Sequence, residues 1–554
     1  MKNIIKILAL GALLTSCDDL FKPAIENNLG FDYMYENSDY AENILGNGYT
    51  RIPNSSYAFS EVATDDAVSN NSSNDYRSMA TGSWSSTDNP MERWRNCRAG
   101  IQYMNLFLAN ADGVQWVEDE MASQMYNDRL KGEAYGMRAM FMYYLLQAHG
   151  GWTADGELLG IPIVTEPEDV NSDFNLPRNT FEECMQALYD DIDMALDLLP
   201  TDYENISSAS DIPEKYSSQG ATVTQYNRVF GTLFKGRFSG RIAEAIRAQA
   251  ALLAASPAYQ DGTTTTWSDV ADYAAVLLDH IGGPTGMDAD GWTWYTNTSE
   301  IAALTSGECP DEIIWRGQIS SSNSLETDNY PPSIYGSGRV NPTQNLVDAF
   351  PMANGYPITD AASGYDAGNP YDNRDPRLST YILCNGQTAG SSSTVIYTAA
   401  DGTTTDALNN EEGYSTRTGY YMRKLLRQDI NLNPTVNSTQ NHYNAYIRYT
   451  EMFLIYAEAA NEAYGPTSGG THDYSAYDVV KAIRARAGVG TDNGDAYLES
   501  IKNDQDKMRE LIRNERRLEL CFEGFRFWDL RRWEEDLTEK AMGVSITGSG
   551  TLTS

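Results

Sequence analysis

At 554 residues the chain is long enough to bury one or two sizeable cores, and a hydrophobic share of 41% suits one extended globular body. A formal net charge of −37 excludes nucleic acid as a partner, because counterion release from a polyanion needs clustered Lys and Arg; it favours a neutral ligand unless a local basic pocket overrides it. Six cysteines scattered singly imply no disulfide framework, and four histidines without ligand spacing imply no zinc site.

Lys2 precedes an apolar run over residues 4–14 that Lys6 enters. This run is long enough for a signal-peptide core and too short to span a bilayer. It ends in Leu14-Thr15-Ser16-Cys17, the pattern of a lipobox, in which the Cys17 thiol is acylated and becomes the new N-terminus once residues 1–16 are removed. Residues 17–32 then read as a lipidated flexible leader, and residues 33–554 as a single domain.

Helical stripes follow in pairs. Tyr33, Tyr40 and Ile44 make one, and Trp94, Cys97, Ile101, Met104 and Leu108 make its partner. The second pair is Leu130, Ala134, Met137, Phe141 and Leu145 with Leu188, Ile192, Ala195 and Leu199. Ile242, Ile246 and Leu253 pair with Val270, Tyr273 and Leu277, and Tyr449, Phe453, Tyr456 and Ala460 with Val479, Ile483 and Ala487. Four helix-turn-helix units with small residues at close approaches predict a mostly α fold, a degenerate tetratricopeptide-like scaffold over residues 33–281 and 447–533.

Residues 282–446 break that regime. They are dense in Gly, Ser, Thr, Asn and Pro, with short strand-like runs at 312–315 and 393–397, and read as a large irregular insert packed on the scaffold. Trp315, inside an apolar run, is assigned to the core. At 511–533 the sequence LIRNERRLELCFEGFRFWDLRRW places Leu511, Leu518 and Phe522 on one helical face beside Glu515, Glu519 and Glu523. Gly524 is expected to end that helix in a left-handed conformation. Six arginines, four carboxylates and no lysine predict a clasp of bidentate, partly buried ion pairs. Residues after Gly543 read as a polar tail.

Catalytic patterns fail on inspection. Residues 231–237 have the spacing of a phosphate loop, but Arg237 and Phe238 replace the Lys and Ser or Thr that would hold phosphate and magnesium. Asp288-Ala289-Asp290-Gly291 resembles part of a calcium loop, with Ser299 where the bidentate Glu belongs. No nucleophile elbow occurs, so no catalytic residue, metal or cofactor is assigned.

Several segments in order carry a family resemblance: NPTQNLVDAFPMANG (341–355), NRDPRL (373–378), TGYYMRK (418–424), VVKAIRARAG (479–488), and ERRLEL, EGFR and WDLRRW within 513–533. The chain thereby resembles the SusD/RagB family of outer-membrane nutrient-binding lipoproteins of Bacteroidetes. The resemblance implies a lipid-anchored, cell-surface protein that captures oligosaccharide or polysaccharide and serves as the lid of a SusC-like TonB-dependent β-barrel transporter. Asp18 and Asp19 after Cys17 resemble the acidic export tags of such lipoproteins. A peptide ligand in the same role, or a surface glycoside hydrolase, are the alternatives.

Aromatic residues in polar loops are the candidate binding residues. Trp84 lies in the period-free stretch 65–90, and Trp292, Trp294 and Tyr295 lie in MDADGWTWYTN. An exposed flat ring that a ligand covers recovers about 1.5–3 kcal/mol, and the C–H faces of sugars stack on such rings. Read as an extended segment, 292–295 cannot turn all three aromatics inward. Asp65, Asp66 and Arg77 are expected to exchange hydrogen bonds with sugar hydroxyls. In the family, the glycan site is likewise built from loops after the first helix and within the insert.

Overall fold

The scaffold is a run of antiparallel helix pairs in which each helix packs on the next. The computed structural model describes residues 32–53, 59–547 and 552–553. The signal segment, Cys17 and the leader up to residue 31 lie outside the described residues.

The first pair is α1 (Ser38–Tyr49) with, after the short α2 (Tyr76–Ala80), α3 (Trp94–Asn110). Next come α4 (Glu120–His149) with α5 (Phe181–Leu198), and α6 (Gly240–Ala255) with α7 (Trp267–His280). The last pair is α8 (Tyr449–Tyr464) with α9 (Ala476–Arg486). The chain closes with α10 (Gln505–Glu519) and α11 (Arg526–Trp533). All four predicted pairs are present.

Local chemistry fixes where the helices begin. Thr180 with Glu183, Thr266 with Asp269 and Ser475 with Asp478 each form a reciprocal capping box, which satisfies amides the first turn cannot. Small residues set the spacing: a Cβ on Gly136 would meet the Phe238 ring at 2.2 Å, and one on Gly100 the Phe141 ring at 2.5 Å. Helices α6 and α8 are buried almost all round, as their alanine-rich sequences require of elements at the centre of a stack. Among the described residues no helix is long and apolar enough to cross a membrane.

The insert has a hydrophobic core of its own, built on Trp294, Tyr295, Tyr330, Phe350, Leu378, Tyr381 and Tyr420. Its strands are short two-stranded ladders: β1 (Ala67–Ser69), from the loop after α1, pairs antiparallel with β3 (Val340–Pro342), and β2 (Ile313–Arg316) with β4 (Ala445–Arg448). Trp315 is 2% exposed and donates its indole N–H to the Gly236 carbonyl at 3.1 Å, a core residue as predicted.

The C-terminal segment joins the two cores. Met508, Leu511 and Ile512 pack into the scaffold, whereas Leu518, Cys521 and Phe522 pack into the insert. Around them the predicted clasp is present. Arg377 reaches Asp375, Glu515 and Glu519, Arg484 holds Asp495 and Glu515, and Lys424 donates to Glu523 at 2.6 Å. Four of the sequence segments behind the family resemblance therefore meet in one buried network. Burial pushes the Glu519 carboxyl up, but Arg486, Arg377, Arg448 and Lys424 overcome it and hold it at about 2.

Three details differ from expectation. Helix α10 ends at Glu519, and Phe522 leaves the helical face by adopting a left-handed φ of 63° within the following turn. Gly524 is left-handed at 85°, but in that turn and not at the helix end. The tail is not featureless: β5 (Ser545–Ile546) pairs with β6 (Leu552–Thr553), and the Val544 N–H donates to the Thr418 carbonyl at 2.7 Å.

Candidate functional site

A cleft of about 170 Å³ opens where the 65–90 loop, the start of α3, strand β4 and the α10–α11 turn converge. Tyr76, Trp294, Tyr446 and Trp528 supply aromatic walls; Arg93, Asn96 and Asn444 supply polar groups. The walls are braced before any ligand arrives. The Arg93 guanidinium is sandwiched between the Trp528 and Tyr144 rings at 4.6 and 4.7 Å, and donates to Gln147 at 2.7 Å. The Tyr446 ring stands edge-on to Trp315 at 5.0 Å.

Trp294 carries the most telling feature. Its side chain is 3% exposed, and its buried indole N–H has no acceptor among the described residues. A buried donor left unpaired costs about 1–3 kcal/mol, which the packing of the ring in the insert core offsets. The floor of the cleft is held by Glu61, which accepts the Gly524 N–H at 2.8 Å. Burial pushes the Glu61 carboxyl up to about 7.

The predicted ligand residues are not gathered in one place. Residues 291–296 form a tight helical turn kinked at Thr293, not an extended strand, and this corrects the argument from alternation. With about three residues per turn, adjacent side chains fan apart, so Trp294 and Tyr295 both enter the core and Trp292 is left half-buried against it. Trp294 faces the cleft, and Tyr295 borders a separate groove in the insert. Trp84 is 44% exposed in its loop. Arg77 lines a different depression of about 590 Å³ with Asn70, Asn71 and Arg417.

Asp65 and Asp66 are corrected outright as exposed hydrogen-bonding groups. Both are buried and bound by the clasp: Arg517 donates to Asp66 and Asp65 at 2.7 Å each, and Arg526 to both oxygens of Asp65 at 3.0 Å. Burial raises the Asp65 carboxyl, and Arg517 and Arg526 more than offset it. These two residues anchor the loop that carries Tyr76 and Trp84.

Tyr76, Asn96, Tyr446 and Trp528 were not singled out as ligand residues by the sequence. Asn96 sits on the polar side of α3, between the Trp94 and Cys97 positions of the stripe, and is exposed. That is the one local signal available.

A helical-repeat stack bears a loop-rich insert, with an aromatic cleft where the two meet. Residues 311–552 match the model of the SusD family, and residues 35–228 match the family described as starch-binding associating with outer membrane. The chain belongs to the SusD/RagB family. SusD-like protein P38 of Formosa agariphila is 34% identical over 116 residues, 21% of this chain and 20% of that protein, so the match spans about a fifth of that relative's length. A SusD-like protein from Bacteroides fragilis NCTC 9343 superposes with a TM-score of 0.67 at 21% identity, covering 94% of this chain and 92% of its own. A SusD-like carbohydrate-binding protein from the same organism superposes with a TM-score of 0.63 at 20% identity, covering 90% and 87%. At these identities the likeness establishes the fold.

Proposed function

We propose that this chain is a non-catalytic glycan-binding lipoprotein, held at the outer face of the outer membrane by acylated Cys17, that passes oligosaccharide to a TonB-dependent β-barrel. The observation that carries the reading is the braced aromatic cleft, with Tyr76, Tyr446 and Asn96 on its accessible walls. Flat rings match the C–H faces of a pyranose, and Asn96 and Asn444 match its hydroxyls. A small cleft of this kind binds weakly, with a Kd on the order of micromolar to millimolar. Trp84, on the same loop as Tyr76, would extend the contact for a longer chain.

A binder alone moves nothing inward. The family membership and the lipobox pattern at residues 14–17 support a hinged lid over a SusC-like transporter, with the ligand held between the two. A microarray of neutral oligosaccharides tests the binding step. The wild-type protein is expected to retain at least one glycan and release no product from it, and Asn96→Ala is expected to weaken the signal. Hydrolysis of the bound glycan, or silence across the array, would overturn the reading.

A further inference from the structure

The insert carries a second, larger depression, a groove of about 720 Å³ far richer in hydroxyls and amides than the aromatic cleft. Thr296, Thr298, Thr380, Gln387 and Gln428 line it together with Arg423. Two of these groups have spare capacity. Gln387 uses its Oε1 to accept the Cys384 N–H at 3.1 Å, which leaves its NH₂ without an acceptor among the described residues. Arg423 donates through Nη1 to the Thr388 carbonyl at 2.9 Å, and no carboxylate among the described residues pairs with it.

The neighbouring guanidinium, by contrast, is neutralised in place. Arg427 donates to both oxygens of Asp429, at 3.1 and 2.9 Å, so Arg423 is the surplus cation of the groove. It is half-buried, and burial pulls its ionisation below the ordinary range, the sign of a charge short of a counterion.

We propose that this groove is a second saccharide site, selective for an acidic sugar whose carboxylate is gripped by Arg423 while Thr298 and Gln387 meet the ring hydroxyls. A guanidinium is built for bidentate contact with a carboxylate, and half-burial strengthens that contact relative to water. The lining offers no apolar pocket beyond Leu426 and Tyr295, which favours a sugar over a peptide, whose side chains need such pockets for selection. The local charge overrides the repulsion expected from the net charge, since screening confines the latter to about 8 Å at physiological salt.

The inference takes only the ligand class from the proposed function, and the two fail separately. Calorimetry of the full chain is run with neutral oligosaccharides and with oligomers of galacturonate, glucuronate, mannuronate and guluronate. At least one oligouronate is expected to bind, and Arg423→Gln to weaken it about tenfold to a hundredfold, with Arg423→Lys recovering part of the loss. Raising the salt weakens uronate binding and leaves neutral binding unchanged. Asn96→Ala affects only the neutral ligands. Neutral binding with no uronate binding, or uronate binding indifferent to Arg423→Gln, overturns this inference alone; absence of all saccharide binding overturns both.

Discussion

Arg532 on α11 donates to both carboxylate oxygens of Glu458 on α8, each at 2.7 Å, and both side chains are almost fully buried. The Trp533 indole N–H donates to the same carboxylate at 2.7 Å. The pair ties the C-terminal helix to the last helix pair of the scaffold. Removing Glu458 leaves the buried Arg532 guanidinium with Asp529 as its remaining carboxylate and the Trp533 indole without its acceptor, so Glu458→Leu is expected to cost up to about 3–5 kcal/mol in urea unfolding. Glu458→Leu combined with Arg532→Met is expected to cost less than Glu458→Leu alone, because neither charge is then stranded.

Stability is expected to fall on both sides of neutral-to-mildly-acidic pH, through different carboxylates. Glu519 is held at about 2 against an ordinary value of 4.5, so its contribution is present above 4.5 and lost as pH falls towards 2. Glu451 behaves oppositely: burial pushes it up to about 7, against Arg516 and Gln249, so its contribution is present below 4.5 and lost as pH rises through 7. Urea titrations should find Glu451→Gln equal to wild type at pH 4 and more stable at pH 8, by up to about 3 kcal/mol. Equal stability at both pH values would remove Glu451 from the account.

The correction at Asp65 has its own test. If this carboxylate anchors the loop through Arg517 and Arg526, Asp65→Asn lowers stability by about 3 kcal/mol and exposes the 65–90 loop to protease, while the folded protein keeps its sugar affinity. Normal stability with lost affinity would return Asp65 to the ligand.

The two tryptophans separate in the same way. Trp294→Ala hollows the insert core and is expected to cost about 3–5 kcal/mol, whereas Trp84→Ala, at a ring 44% exposed, is expected to stay within about 0.5 kcal/mol. Thermal unfolding compares them directly; equal losses would contradict the placement of both rings.

What the sequence made legible was periodic or reciprocal. Stripes such as Cys97, Ile101 and Met104 are local, and they fixed the helix pairs. The clasp was legible from charge type alone, because arginines beside carboxylates in an apolar segment have few other uses. Phe522 was not, since its left-handed backbone leaves no trace in periodicity. Nor was the turn at 291–296, whose helical winding sends Trp294 and Tyr295 inward against the expectation of an exposed platform. The cleft brings together Tyr76, Asn96, Trp294, Tyr446 and Trp528 from five separate segments, and no spacing in one dimension encodes that meeting.

The central claim is that the aromatic cleft holds a neutral sugar. It is tested most directly by calorimetry of Tyr76→Ala, Asn96→Ala and the double variant against the neutral oligosaccharide bound most strongly by the wild-type protein. Both residues border the cleft without being fully buried, so the fold should survive their loss. Each single substitution is expected to weaken binding about tenfold and the pair to abolish it, through loss of ring stacking and of a hydroxyl contact. Unchanged affinity in a correctly folded double variant would contradict the account and move the ligand elsewhere on the protein.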